Sequence, residues 1–289
     1  ISAVEGIQAH TLSLWESLKE RNLPLIIFVN KVDRAGADIE QLFSDIEKDL
    51  GARLFAQNYA DISLPDQPEL VGFSSSNQYL STSIMDKSLE NLAELDDSFM
   101  EVYLDGNVED LDHVKLLSEG YLRSLDLVPV IFGSAKLDMG IKLLLDRMTS
   151  LFDIKTVDIE TPSAKVFKVE YDAKLGRLAH VRLYAGNLKN KDTIWSQHLE
   201  KDVKINQILQ RKLGKLQAVG ELEVGEIGVM TTSDMILAGD VLGQVKFDED
   251  YNSIGESVLS VQAVADEDKD YQSLGEALVI LHNEDPRLD

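Results

Sequence analysis

The chain has 289 residues, 28 Lys+Arg against 51 Asp+Glu, a formal net charge of −23, 44% hydrophobic residues and no cysteine. That is apolar material for one or two cores of roughly 100–200 residues each, and the lack of cysteine removes disulfides, thiolate nucleophiles and cysteine-bound metals together. No apolar run reaches the ~18–20 residues that cross a bilayer and no basic segment leads into an apolar one, so a cytoplasmic location with no membrane partner is expected, and the overall charge argues against a nucleic-acid partner.

In chain order, the first elements alternate short buried strands with amphipathic helices. Residues 25–29 (LIIFV) and 128–132 (VPVIF) are continuous apolar runs of strand length, as strands covered on both faces should be. Ile39, Leu42, Phe43, Ile46 and Leu50 follow one helix face, with Asp38 placed as N-cap and Gln41 three residues on. Ile141, Leu144, Leu145, Met148 and Leu151 repeat that spacing after the second strand. Strand–helix alternation predicts a parallel, three-layer α/β domain through about Phe152.

Beyond Thr161 the period changes to two. Ala179, Val181 and Leu183 face one way, Leu178, His180 and Arg182 the other, and residues 185–188 supply a turn. Strand-length runs at 203–209, 225–230 and 240–242 then predict a small antiparallel barrel. Residues 257–264 read as a strand and 271–282 as a helix with Leu274, Leu278 and Leu281 on one face. The expected fold class is therefore α/β followed by all-β, with the start of a third, α+β, domain that is cut off.

The charge is uneven along this plan. Residues 1–160 hold 13 basic and 29 acidic side chains, 161–246 hold 13 and 10, and 247–289 hold 2 and 12. From Lys165 to Lys215 there are 12 basic residues against five acidic ones. The acidic clusters Asp248-Glu249-Asp250 and Asp266-Glu267-Asp268 read as solvated linkers. The five histidines, His10, His113, His180, His198 and His282, show no metal-ligand spacing.

Two short strings carry chemistry. Asn30-Lys31-Val32-Asp33 follows the first strand directly, at the carboxyl end where open α/β sheets bind ligands. A carboxylate there can accept two parallel hydrogen bonds from the N1–H and 2-amino group of guanine, while adenine offers neither donor. Asn30 would brace the loop, and the stem of Lys31 would lie over the ring. Gly133-Ser134-Ala135-Lys136 follows the second strand and precedes a helix. Its N–H groups could meet the guanine carbonyl, and Lys136 could cover the opposite ring face.

Together with Ile1-Ser2-Ala3-Val4-Glu5-Gly6-Ile7-Gln8-Ala9-His10-Thr11, these strings resemble the translational GTPases. Val166-Phe167-Lys168-Val169-Glu170, Arg182-Leu183-Tyr184-Ala185-Gly186 and the segment closing on Gly243 resemble their second domain. Within that group the chain is most similar to the tetracycline-resistance ribosomal-protection proteins and next to elongation factor G. One hundred residues lie between Asp33 and Ser134, an interval in which the resemblance gives elongation factor G an added subdomain.

The resemblance implies a partial P-loop GTPase-type α/β domain (residues 1–158) whose front half is missing, a translation-factor β-barrel (159–246) and a linker with a truncated third domain (247–289). It implies GTP or GDP as ligand, held at the base by Asn30, Lys31, Asp33, Ser134, Ala135 and Lys136. It also implies Mg²⁺ in the full-length protein, and contact with the ribosome's small-subunit RNA through the basic window. The phosphate loop Gly-x-x-x-x-Gly-Lys-[Ser/Thr] is not present in the sequence, nor a suitably placed Asp-x-x-Gly switch. No catalytic residue is therefore assigned, and the isolated chain is expected to be inactive in hydrolysis. An elongation factor G-like translocase and a non-catalytic RNA-binding module are the alternatives.

Overall fold

The computed structural model describes residues 1–62, 69–72, 82–106, 108, 111–152, 159–172, 174–245, 261–265, 267 and 270–284. The chain divides into two compact units, Ile1–Asp153 and Ile154–Asp289.

The first unit opens on helix α1 (Ala9–Glu20), of which only Trp15 is buried. Strand β1 is Ile27–Val29, shorter than the apolar run that announced it. Helix α2 (Ile39–Leu50) starts where Asp38 accepts the Gln41 N–H and stops at Gly51 in the left-handed region. Its expected face, Ile39, Leu42, Phe43, Ile46 and Leu50, is buried. There follow β2 (Leu54–Ala56), the hairpin β3 (Asn58–Asp61) and β4 (Glu69–Gly72), and three helices, α3 (Ser83–Ala93), α4 (Asp97–Leu104) and α5 (Leu111–Ser124). Strand β5 (Val128–Phe132) and helix α6 (Ile141–Leu151) complete the unit.

β5 lies between β1 and β2, parallel to both, with Val29 beside Phe132 and Ala56 beside Val130. On the other edge of β1, Ser2 bridges Asn30 in parallel, with Ile1 and Ala3 bonded to the Asn30 backbone. Leu54 and Ala56 enter one apolar cluster with Val29, Phe43 and Phe132, while Phe55 between them enters another with Met85, Leu92 and Leu127. Side chains alternate across a strand, so the clusters lie on opposite faces and the unit has helices on both sides of its sheet.

The outer edge of β2 is closed by polar side chains of α3: Ser88 Oγ accepts the Ala56 N–H at 3.1 Å, and Asn91 Nδ2 donates to the Leu54 carbonyl at 3.0 Å. Such a cover removes an edge that would otherwise pair with another chain. On α6 only Leu151 is buried. Leu145 and Met148, expected in the core, are exposed.

In the second unit, β6 (Ser163–Asp172), β7 (Gly176–Ala185), β8 (Leu188–Lys189), β9 (Thr193–Ser196) and β10 (Lys201–Lys204) lead to β11 (Gln207–Lys212) and β12 (Lys215–Val219). β13 (Glu221–Leu222), β14 (Ile227–Thr231) and β15 (Val241–Leu242) follow, and helix α7 spans Tyr271–Glu284. Eight strands form one antiparallel sheet in the order β10-β9-β15-β6-β7-β14-β11-β12, and β8 pairs with β13. The register slips at Phe167, where β6 bulges. Ala179, Val181 and Leu183 join Val166, Ile194, Ile208 and Met230 in one core, as the alternation predicts, and Leu178 joins Leu209 and Val229 in a smaller cluster. Burying such a side chain fully is worth about 1.5–3 kcal/mol.

The expected run 203–209 is divided between β10 and β11. Of the strand expected over 257–264, residues 257–260 lie outside the described residues and 261–264 form no ladder. The acidic cluster 248–250 also lies outside them. Helix α7 forms, but Leu278 and Leu281 on its apolar face are exposed.

Candidate guanine-recognition site

Both chemistry-bearing strings sit at the carboxyl ends of adjacent parallel strands, and the parallel register brings them together. The Gly133 N–H donates to the Val29 carbonyl at 2.9 Å, and the Val32 N–H returns a bond to the Gly133 carbonyl at 3.3 Å. Asn30 then ties the loops at the side-chain level: its Oδ1 accepts the Lys31 N–H at 2.8 Å and the Ala135 N–H at 2.9 Å, across 105 residues of sequence. Lys31 adopts φ +69° beside that bond. A non-glycine residue there carries strain of order 1 kcal/mol, held by the bonds around it.

Asp33 is half-buried. The Ser134 hydroxyl donates to its carboxylate, and Lys136 and Arg34 lie close enough to add attraction, so its carboxyl is held below the usual range. An ionised carboxylate has about four acceptor positions, so one bond from Ser134 leaves room for two parallel donors. Ser134 itself is fully buried. Its N–H donates to the Met139 carbonyl at 3.1 Å and its carbonyl accepts the Met139 N–H at 2.9 Å, closing the loop on itself.

Of the loop amides, those of Ser134 and Ala135 are therefore engaged within the protein. Among the described residues the Lys136 N–H has no acceptor, and it is the amide left for a base carbonyl. Ala135 and Lys136 are exposed. Lys31 Nζ reaches Glu5 at 3.0 Å, an ion pair that draws the Glu5 carboxyl below its ordinary value. Glu5 was not singled out for this contact in the sequence, where it lies 26 residues away.

Two glycines are required by packing. A Cβ on Gly133 would overlap the Met139 carbonyl oxygen and stand 2.7 Å from the Phe28 ring. At Gly140, with φ +77°, it would stand 2.7 Å from the Phe132 carbonyl oxygen.

Known proteins resemble this chain in sequence and in fold. Residues 1–153 match the model of the elongation factor Tu GTP binding domain. The chain belongs to that family of translational GTPases. It is 32% identical to the tetracycline resistance protein TetP of Clostridium perfringens over all of its own length and 44% of that protein. It is also 33% identical to TetW of Butyrivibrio fibrisolvens over 84% of its length and 36% of that protein. A crystal structure of ttk003000868 from Thermus thermophilus covers 99% of the chain with a TM-score of 0.77 at 23% identity, matching over 46% of its own chain, which shows a shared fold. The chain thus spans less than half of the curated relatives it matches.

The elongation factor Tu-type unit places all six expected base-recognition residues around one pair of loops. Among the described residues no group of three or more His, Asp or Glu side chains is placed to hold a metal ion. No helix among the described residues is long and apolar enough to cross a membrane.

The side chains of the basic window differ in how far they reach solvent. Lys165 is buried at 8% exposure, and burial pushes its amine below the usual lysine range. Lys168, Lys189 and Lys201 are paired with Glu170, Glu221 and Asp234. Exposed in the same window stand Lys174, Lys191 and Lys204 and, close together on the β11–β12 hairpin, Arg211, Lys212 and Lys215, where the chain turns through a fully exposed Leu213.

Proposed function

We propose that the two loops form the guanine-recognition half of a GTP site in a ribosome-dependent GTPase that protects the ribosome from tetracycline. Asp33 accepts the N1–H and 2-amino group, the Lys136 N–H meets the base carbonyl, and the stems of Lys31 and Lys136 cover the ring faces. Asn30 keeps the loops in register. Ser134 fixes the Asp33 carboxylate, and Ala135 contributes its amide to Asn30. The observation that carries this reading is the Asn30 Oδ1 bridge between Lys31 and Ala135, which makes one site of two distant strings.

The likeness to TetP and TetW supports the protection activity. Phosphate binding, Mg²⁺ and hydrolysis are assigned to residues other than these 289, because the phosphate-loop sequence is not among them. The division into residues 1–158, 159–246 and 247–289 is retained as the functional plan. The second unit meets ribosomal RNA through the exposed β11–β12 hairpin, since phosphate contacts depend on local Lys and Arg rather than on the net charge.

Titration of the 289-residue chain with millimolar GMP and AMP, followed by amide NMR, tests base recognition. GMP should shift the amides of 30–34 and 134–136, and AMP should leave them in place. Equal response to both nucleotides would remove the guanine assignment. The full product of the gene should raise the tetracycline concentration a sensitive bacterium tolerates; no rise would favour a translocation factor.

A further inference from the structure

β2 ends at Ala56, one residue short of what β5 needs. The Gln57 N–H still donates to the Val130 carbonyl at 2.8 Å, but the chain then departs into β3, leaving both polar groups of the next outward-facing β5 residue, Phe132, without a strand beside them. The Asn58 side chain takes the place of that strand. Its Nδ2 donates to the Phe132 carbonyl and its Oδ1 accepts the Phe132 N–H, both at 2.9 Å, with Asn58 only 2% exposed.

Phe132 is the floor of the second loop. Gly133 follows it directly, and Gly140, where the loop returns, packs so closely on the Phe132 carbonyl oxygen that a Cβ would stand 2.7 Å away. Between these two points Ser134 and Met139 pair with each other. The loop is thus closed on itself and fastened to the sheet at Gly133 and Phe132. A one-sided bond would let Phe132 rotate about its peptide plane, whereas a bidentate amide fixes both donor and acceptor.

We propose that Asn58 is a positioning residue for guanine recognition, acting through Phe132 to hold residues 133–136 against Asp33. This rests on the guanine reading above, and the test separates the two. Asn58→Ala is compared with Ser88→Ala, which removes a buried bond from the far edge of β2 without touching Phe132. Hydrogen exchange needs no nucleotide. In Asn58→Ala the amides of Phe132, Ser134 and Ala135 should exchange about tenfold faster relative to Val29, and GMP should bind about five- to tenfold more weakly, the size of one or two lost net hydrogen bonds.

Ser88→Ala should lower stability while leaving loop exchange and GMP affinity as in the parent. If Asn58→Ala does not fold, Asn58→Asp, which keeps the acceptor for the Phe132 N–H, replaces it, with faster Ser134 and Ala135 exchange expected. Loop exchange and GMP affinity that match Ser88→Ala would overturn the positioning role. A parent chain that ignores GMP would sink the guanine reading alone, because the exchange comparison still decides whether Asn58 holds the loop.

Discussion

The loops around Asp33 and the hairpin around Lys212 carry similar chemistry, polar groups offered to a nucleotide, yet they are built oppositely. At the loops each polar group is fixed by another: Asn30 by two amides, Asp33 by Ser134, Ser134 by Met139. At the hairpin, Lys212 and Lys215 stand directly opposite each other at the turn, and like charges so placed oppose the ladder. A base edge is read by donors and acceptors whose directions are set in advance, while a phosphate needs only nearby positive charge. Single changes should therefore cripple the first region, and only several together the second.

The largest effect is expected at Asp33. Asp33→Asn exchanges an acceptor pair for a side chain that also donates, which costs the guanine pairing about 1–3 kcal/mol, or roughly 5- to 160-fold. Preference should move to XMP, whose 2-oxo group accepts the new donor. Comparative titration with GMP and XMP reads this, and an unchanged ratio would take Asp33 out of the pocket.

Gly133→Ala comes next. The added methyl overlaps the Met139 carbonyl and the Phe28 ring, neither of which is the free end of a flexible chain. Overpacking of this kind costs about 1–3 kcal/mol, measurable as a lower midpoint in urea unfolding of the first unit. Gly36→Ala is the contrast: nothing lies near its Cβ position, and only the φ of +87° opposes the substitution. If both lowered the midpoint equally, packing would not be what reserves position 133 for glycine.

Legibility in the sequence divides along related lines. The two strings and the Asp38 cap could be read because their partners are local or because strand, loop and helix follow one another in order. Asn58 could not be singled out, because its partner Phe132 is 74 residues away and nothing in an isolated Asn says it will complete a strand. The three helices α3–α5 escaped for a similar reason: Ser88 and Asn91 are buried on α3 to close a sheet edge, which breaks the apolar stripe. Strand β12 was hidden behind a two-residue turn of Leu213 and Gly214, where a leucine occupies a φ of +49°. On α6 and α7 the helices form where the periodicity puts them, but Leu145, Met148, Leu278 and Leu281 stay exposed: a pattern states which side wants cover, not whether cover is there.

For the hairpin, reversing Arg211, Lys212 and Lys215 to Glu should weaken RNA binding about tenfold at moderate salt and flatten the dependence of log affinity on log salt by roughly two to three, near one per lost phosphate contact. Any one of the three reversals alone should change the slope by about one. A steep slope surviving the triple change would return the hairpin to an ordinary solvated surface.

The smallest effect tests how far the fixed region depends on each of its bonds. Ser134 is the leading cause of the depressed Asp33 carboxyl, ahead of Lys136 and Arg34. A depressed carboxyl contributes stability that is present above the unfolded value of ~3.9 and is lost as the pH falls through the lower folded value. Base recognition follows the same limb, because only the carboxylate accepts two donors. GMP binding should thus be level from neutral pH down to about pH 5 and fail only at stronger acidity. Ser134→Ala removes the main stabiliser of the charged form, so the Asp33 carboxyl carbon, followed by NMR, should titrate at a higher pH, approaching ~3.9. Lys136→Ala should move it less, since an exposed amine is screened by water where a buried hydroxyl is not. The reverse order would mean that Asp33 is held by the field of its basic neighbours, and the contrast between a bonded site and a merely charged hairpin would lose its basis.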